Sequence, residues 1–134
     1  MLACPCGKTS AGRCLDYARC CGPFIDHYDT HPAPDAESLM RSRYAAFVLE
    51  RERYLLDTWH SDTRPFAIEF EAGLKWLGLS IKRFTPPNPP DSDTAWVEFV
   101  ARSRLAGRGH RLHERSRFLR KDGRWWYIDG EIFD

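Results

Sequence analysis

The stretch Thr94 to Gly130, TAWVEFVARSRLAGRGHRLHERSRFLRKDGRWWYIDG, decides the fold. Apolar and polar residues alternate along it, and two turn signals interrupt it: Ala106-Gly107-Arg108-Gly109 and Lys121-Asp122-Gly123. Period-two patterning between Gly-containing turns is the signature of an antiparallel meander. Strands are therefore expected over Thr94–Leu105, His110–Arg120 and Arg124–Gly130. Working upstream, Leu77, Leu79 and Ile81 alternate with Gly78, Ser80 and Lys82, which predicts one more strand. Thr85-Pro86-Pro87-Asn88-Pro89-Pro90 must be a loop, because prolines cannot join a central ladder. Before Gly73 the period changes. Asp35 can cap a helix whose apolar positions are Ala36, Leu39, Met40, Tyr44, Phe47 and Val48. A second short helix is expected to hold Tyr54, Leu55 and Trp59, and a third piece to run from Pro65 to about Glu71. Residues 22–34, punctuated by Pro23, Pro32 and Pro34, read as a connector. Helices first and a meander afterwards predict an α+β fold, with the helices packed on one face of the sheet.

The strand around Glu114 has two unlike faces. Leu112, Glu114, Ser116 and Phe118 share one, and Arg111, His113, Arg115 and Arg117 the other. The apolar ends mark the first face as inward. Arg43 falls in the apolar stripe of the first helix, and a buried charge needs a partner. A buried Arg43–Glu114 pair is therefore expected, hydrogen-bonded by Ser116, with Tyr44, Trp59 and His60 around it. Three readings fit this set: a satisfied polar core network, a ligand pocket, or a catalytic site using Glu114, His60 or Asp129 as base. A Glu114 paired with Arg43 would be a weak base.

The outward face is basic. From Arg104 to Arg124 there are seven arginines and Lys121 against Glu114 and Asp122. Such an excess fits RNA or ribosome contact through Arg111, Arg115 and Arg117, with Trp125 and Trp126 stacking on bases. It equally fits an acidic protein surface, or an ordinary solvated sheet face.

All five cysteines lie between Cys4 and Cys21. Thiols confined to one end favour metal binding over a disulfide framework. Cys4, Cys6, Cys20 and Cys21 supply four soft ligands for a closed, structural zinc site. Cys14 could replace one of the adjacent pair, with His27 and His31 as outside candidates. Redox-active dithiols and unmetallated thiols are the rival readings. Lys8, Arg13 and Arg19 would offset thiolate charge in either case. No Gly-rich phosphate loop or nucleophile elbow occurs, and His110 and His113 are expected on opposite strand faces.

The chain has 134 residues and 15.6 kDa, about one domain's worth. At 43% hydrophobic and 13% aromatic, it is too apolar for a disordered protein. Twenty Lys and Arg against 19 Asp and Glu exclude a uniformly basic coat, though not a local patch. No apolar run approaches the roughly 20 residues that span a bilayer, and Met1-Leu2-Ala3 leads straight into cysteines without a signal-peptide core. A cytoplasmic protein with no membrane association is expected.

CPCG followed by DYARCCGPF resembles a SEC-C motif, a small zinc knuckle. Downstream, AESLMRSRYAAFVLERERYLLDTWH, WLGLSI, VEFVAR, HERSRF and GRWWYIDG resemble, in that order, the YchJ family of uncharacterised bacterial proteins. The loop between the cysteine pairs is longer than is usual for SEC-C and contains Cys14. The resemblance implies a cone-shaped nuclear transport factor 2-like (cystatin-like) fold with a curved antiparallel sheet over residues 23–134, preceded by a zinc knuckle over residues 1–22. By analogy with SEC-C modules elsewhere, it implies a non-catalytic binding or adaptor protein that recognises a protein or ribonucleoprotein partner. The alternative is a small-molecule enzyme or ligand carrier working from the pocket around Arg43 and Glu114.

Overall fold

A computed structural model describes residues Leu2–Phe133. The N-terminal segment is a two-strand hairpin, β1 (Thr9–Ser10) with β2 (Arg13–Cys14), closed by Ala11-Gly12, both with positive φ. A 3-10 turn (Tyr17–Arg19) leads into α1 (Gly22–Asp26), α2 (Ala36–Leu49) and α3 (Glu52–Asp57). The four-stranded sheet follows in chain order: β3 (Lys75–Thr85), β4 (Thr94–Leu105), β5 (Arg108–Lys121) and β6 (Arg124–Phe133), each antiparallel to the next. Two-residue turns at Ala106-Gly107 and Asp122-Gly123 close the last two hairpins, and all four of these residues have positive φ. That geometry matches the right-handed twist of the strands it joins.

The helices lie on one face of the sheet, as expected, and the strand bounds agree closely with the alternation. Asp35 caps α2 through a 2.7 Å hydrogen bond from the Ser38 amide to its carboxylate. Leu39 and Leu55 from the helices and Val97 and Phe118 from the sheet are fully buried. Each contributes about 1.5–3 kcal/mol of burial. Cys4, Cys6 and Cys21 belong to this same core cluster, so the hairpin and the sheet domain share one interior. No helix among the described residues is long and apolar enough to cross a membrane.

Four local expectations fail. Trp59 lies beyond the end of α3, in an isolated bridge to Tyr127. Gly22-Pro23 does not break the chain; it opens α1, since proline at the first helical turn loses no hydrogen bond. No helix forms between Pro65 and Glu71. On β3 a bulge at Leu77 separates the pairs Trp76↔Ser103 and Gly78↔Arg102. It turns Trp76 inward and leaves Leu77 half exposed.

Candidate functional site: a thiol cluster and an aromatic cavity

The hairpin brings the cysteines together. The Cys4 amide donates to the Leu15 carbonyl at 2.8 Å, and the Gly7 amide donates back to Cys4 at 3.1 Å, which folds Cys4 and Cys6 into one tight turn. Gly7 has φ 73°, a conformation that glycine adopts without strain. Cys20 and Cys21 arrive from the 3-10 turn, and the Cys21 carbonyl accepts the first hydrogen bond of α1. Gly22 packs so closely that a Cβ there would sit 2.7 Å from the Tyr17 carbonyl oxygen.

The four sulfurs of Cys4, Cys6, Cys20 and Cys21 lie within 4.8 Å of one another. Cys6 and Cys20 are 3.5 Å apart, and Cys20 and Cys21 3.9 Å. Sulfurs sharing a tetrahedral ion at about 2.3 Å stand roughly 3.8 Å apart, so the donor set fits one metal ion. Three of the four residues are buried, and Cys14 is exposed and outside the group. His27 and His31 also lie outside it.

The thiols interact strongly. Hydrogen bonds from Cys21 and Cys4 to its thiolate pull Cys6 down to about 2. Hydrogen bonds with Cys4 and Cys6, and then burial, push Cys21 far up, and burial foremost raises Cys20 to about 12. One thiolate is thus welcome and further ones are resisted unless a cation joins them. Arg41 ties the cluster to α2, its guanidinium donating to the Cys6 carbonyl at 3.3 Å and to Glu37 at 3.1 Å.

The second feature lies between α2 and the inner sheet face. Met40, Arg43, Tyr44 and Phe47 recur at helical spacing on α2. They face Trp76 on β3, Phe99 and Ala101 on β4, Leu112, Glu114 and Ser116 on β5, and Tyr127 on β6. Together with Trp59 these enclose a cavity of about 310 Å³. The structure gathers Arg43, Tyr44, Trp59, Glu114 and Ser116 here. His60 is absent from the lining; it follows Trp59 in an extended segment, whose amide at His60 donates to the Tyr127 carbonyl at 2.7 Å. Its side chain points to a separate depression with Arg64, Lys121 and Trp126. Asp129 faces the opposite side of the sheet, where both its oxygens accept from Arg117 at 2.9 and 2.6 Å.

The expected Arg43–Glu114 ion pair does not form. Arg43, 4% exposed, donates to the Leu55 carbonyl at 2.8 Å and to the Thr58 hydroxyl at 2.7 Å. Its guanidinium lies 5.0 Å from the Trp59 ring centre and 4.7 Å from that of Tyr127. The end of α3 thus supplies what the sequence assigned to Glu114. Burial lowers Arg43 to about 10, and the nearby Tyr127, Tyr54 and Glu114 only partly restore it. Glu114 instead accepts from the Ser116 hydroxyl and, at 3.4 Å, from the Tyr127 phenol, all on its Oε2. Room for its carboxylate exists because position 130 is glycine; a side-chain carbon there would collide with it.

On the outer face, some of the cations are engaged. Arg115 stacks 4.0 Å above the Trp96 ring, Arg117 holds Asp129, and His113 meets Glu98 at 2.7 Å. Trp125 is buried and Trp126 is half-buried, its indole N–H donating to the Lys121 carbonyl. Trp125 therefore cannot stack on a base. Arg111 remains exposed, directly opposite Arg102, and Lys75 opposite Arg104. Tyr127, Trp76 and Gly130 were missed from sequence. Strand alternation from Trp125 could have placed Tyr127 inward.

A helix-backed antiparallel cone with a four-cysteine knuckle at its N-terminal end defines a SEC-C-type protein with a nuclear transport factor 2-like domain. Residues 35–130 match the family described as YchJ, middle NTF2-like domain, and the chain belongs to that family. It is 58% identical over 132 residues to a UPF0225 protein of Methylibium petroleiphilum, covering 98% of this chain and 89% of that one. To a UPF0225 protein of Polaromonas naphthalenivorans it is 53% identical over 137 residues, covering 97% of each. The solution structure of a SEC-C motif containing protein from Rhodopseudomonas palustris superposes with a TM-score of 0.79 at 31% identity, over 99% of this chain and 100% of that one. The crystal structure of a sec-c motif containing protein from Psychrobacter arcticus gives 0.78 at 27% identity, over 98% and 83%.

Proposed function

We propose that this is a cytoplasmic, zinc-stabilised, non-catalytic binding protein that docks an acidic surface of a protein or ribonucleoprotein partner. Zinc held by Cys4, Cys6, Cys20 and Cys21 fills every coordination position with protein sulfur, which is the chemistry of a structural site. The observation that carries the docking role is the pairing of Arg102 with Arg111 and of Lys75 with Arg104. Directly opposed like charges destabilise a sheet. All four residues are exposed, and none joins an ion pair among the described residues. A partner's carboxylates or phosphates would relieve that repulsion. Burial of Trp125 and the covering of Trp96 by Arg115 leave half-buried Trp126 as the one of these three rings open to RNA stacking, which favours an acidic protein face.

The test is affinity capture from lysate with wild type and an Arg102→Glu/Arg111→Glu variant, with and without ribonuclease. A partner retained by wild type at low salt, lost by the variant and insensitive to ribonuclease is expected. Equal capture by both proteins contradicts the reading.

A second reading, a small-ligand site, rests on Glu114. Its Oε1 has no hydrogen-bond partner among the described residues, and Glu114 lines the aromatic cavity.

A further inference from the structure

The cavity's chemistry says what such a ligand must be, given that second reading. A carboxylate has only acceptors, so whatever meets Glu114 Oε1 must bring an N–H or O–H. The walls are flat and apolar: the rings of Tyr44, Phe47, Trp59, Trp76, Phe99 and Tyr127. Trp76 stands edge-on to Tyr44 at 5.6 Å and Trp59 edge-on to Tyr127 at 5.0 Å, so the walls are built of aromatic edges and faces. Charge narrows the class further. Arg43 is committed to Leu55 and Thr58 by hydrogen bonds and to Trp59 and Tyr127 by its faces, yet its positive charge remains in the wall. A cationic ligand would face Arg43, and an anionic one would face Glu114. At about 310 Å³ the space is at the lower bound for ligand sites, enough for one or two fused rings.

We propose that the cavity binds a planar, uncharged, one- or two-ring compound of the lactam or amide type, stacked among the aromatic side chains and donating its N–H to Glu114 Oε1. Ser116 and Tyr127, bonded to the other oxygen, hold the carboxylate in place to receive it. Gly130 leaves the room that the carboxylate occupies. No bond is made or broken.

Four probes test this on the full wild-type chain: 2-indolinone, N-methyl-2-indolinone, benzyltrimethylammonium and benzoate. Each is titrated while the Trp59 and Trp76 indole resonances are followed by two-dimensional NMR. Saturable shifts of both indoles are expected with 2-indolinone, and binding at least about tenfold weaker once its N–H is methylated, the loss of one hydrogen bond to a charged acceptor. Glu114→Ala should bring the two indolinones to equal affinity. Equal binding by the methylated compound in wild type overturns the donor assignment. Tighter binding of the ammonium or the benzoate overturns the charge assignment. If no probe saturates at millimolar concentration, the small-ligand reading itself falls.

Discussion

The Glu114 carboxylate occupies the space that a side chain at position 130 would fill: a Cβ on Gly130 would clash with its Cδ at 2.6 Å and its Cγ at 2.9 Å. Gly130 pairs with Ser116 across the sheet, and Ser116 in turn donates to Glu114. Three residues on two strands therefore fix one carboxylate.

Gly130→Ala is expected to move Glu114 without unfolding the protein. The atoms in the way are the far end of a flexible side chain, and alanine favours the extended backbone, so stability should change by less than about 1 kcal/mol. Loss of the Tyr127–Glu114 contact should appear in the Tyr127 ring resonances. An unmoved Tyr127 environment would show that the glycine is incidental.

Gly22→Ala should behave differently. Its new carbon would meet the Tyr17 carbonyl oxygen at 2.7 Å and the Tyr17 ring at 3.0 Å. Backbone at the Cys20-Cys21 turn would have to shift, at a cost of about 1–3 kcal/mol. Urea denaturation measures this, and an unchanged midpoint would contradict the packing at the knuckle.

Arg43 and Glu114, which make no direct ion pair, are expected to be only weakly coupled. Arg43→Met removes a charged donor from the Leu55 carbonyl and the Thr58 hydroxyl and should cost about 1–3 kcal/mol. Glu114→Gln should cost less than about 1 kcal/mol, since it has no ion-pair partner within the protein. A double-mutant cycle should return a coupling under about 1 kcal/mol; a coupling of 2 or more, about the strength of a charged hydrogen bond, would restore the direct pair.

Alkaline pH should weaken the fold through its buried tyrosines, offset in part by Arg43, whose burial-lowered value favours the folded state as it sheds its proton. Burial, and then the charge of Asp26, raise Tyr17 to about 12, and burial likewise raises Tyr54 and Tyr127. A phenol with a raised folded-state pKa keeps its proton where the unfolded chain has released it. Its stabilising effect is complete below about pH 10 and is lost as pH climbs toward 12. Absorbance of phenolate in the native protein should lag that of the unfolded protein by a unit or more over this window. Coincident curves would mean the rings are not buried.

What could be read from the residues followed one periodicity at a time. The meander, the inward face of β5 and the Asp35 cap each depend on a short local pattern, and each appears in the structure. The failures come from relationships that no single period records. One inserted residue at Leu77 reverses the facing of β3 at Trp76, and only pairing with β4 reveals it. Arg43 looked as though it needed a carboxylate, but a helix-end carbonyl and the Thr58 hydroxyl satisfied it from another element. Trp125 looked available because it lies near the edge of the basic face, whereas its parity with Tyr127 places it inside. For the cysteines, spacing gave the four that assemble, while the exclusion of Cys14 required the hairpin that carries it outward on β2.

Metal content and thiol reactivity of protein isolated without chelator bear most directly on the whole account, because the knuckle's sulfurs are part of the same interior as the sheet. One zinc per chain is expected, with Cys14 alone reacting quickly with a disulfide reagent and the other four thiols reacting only after chelation. Metal-free protein in which Cys4, Cys6, Cys20 and Cys21 react as fast as Cys14 would contradict it.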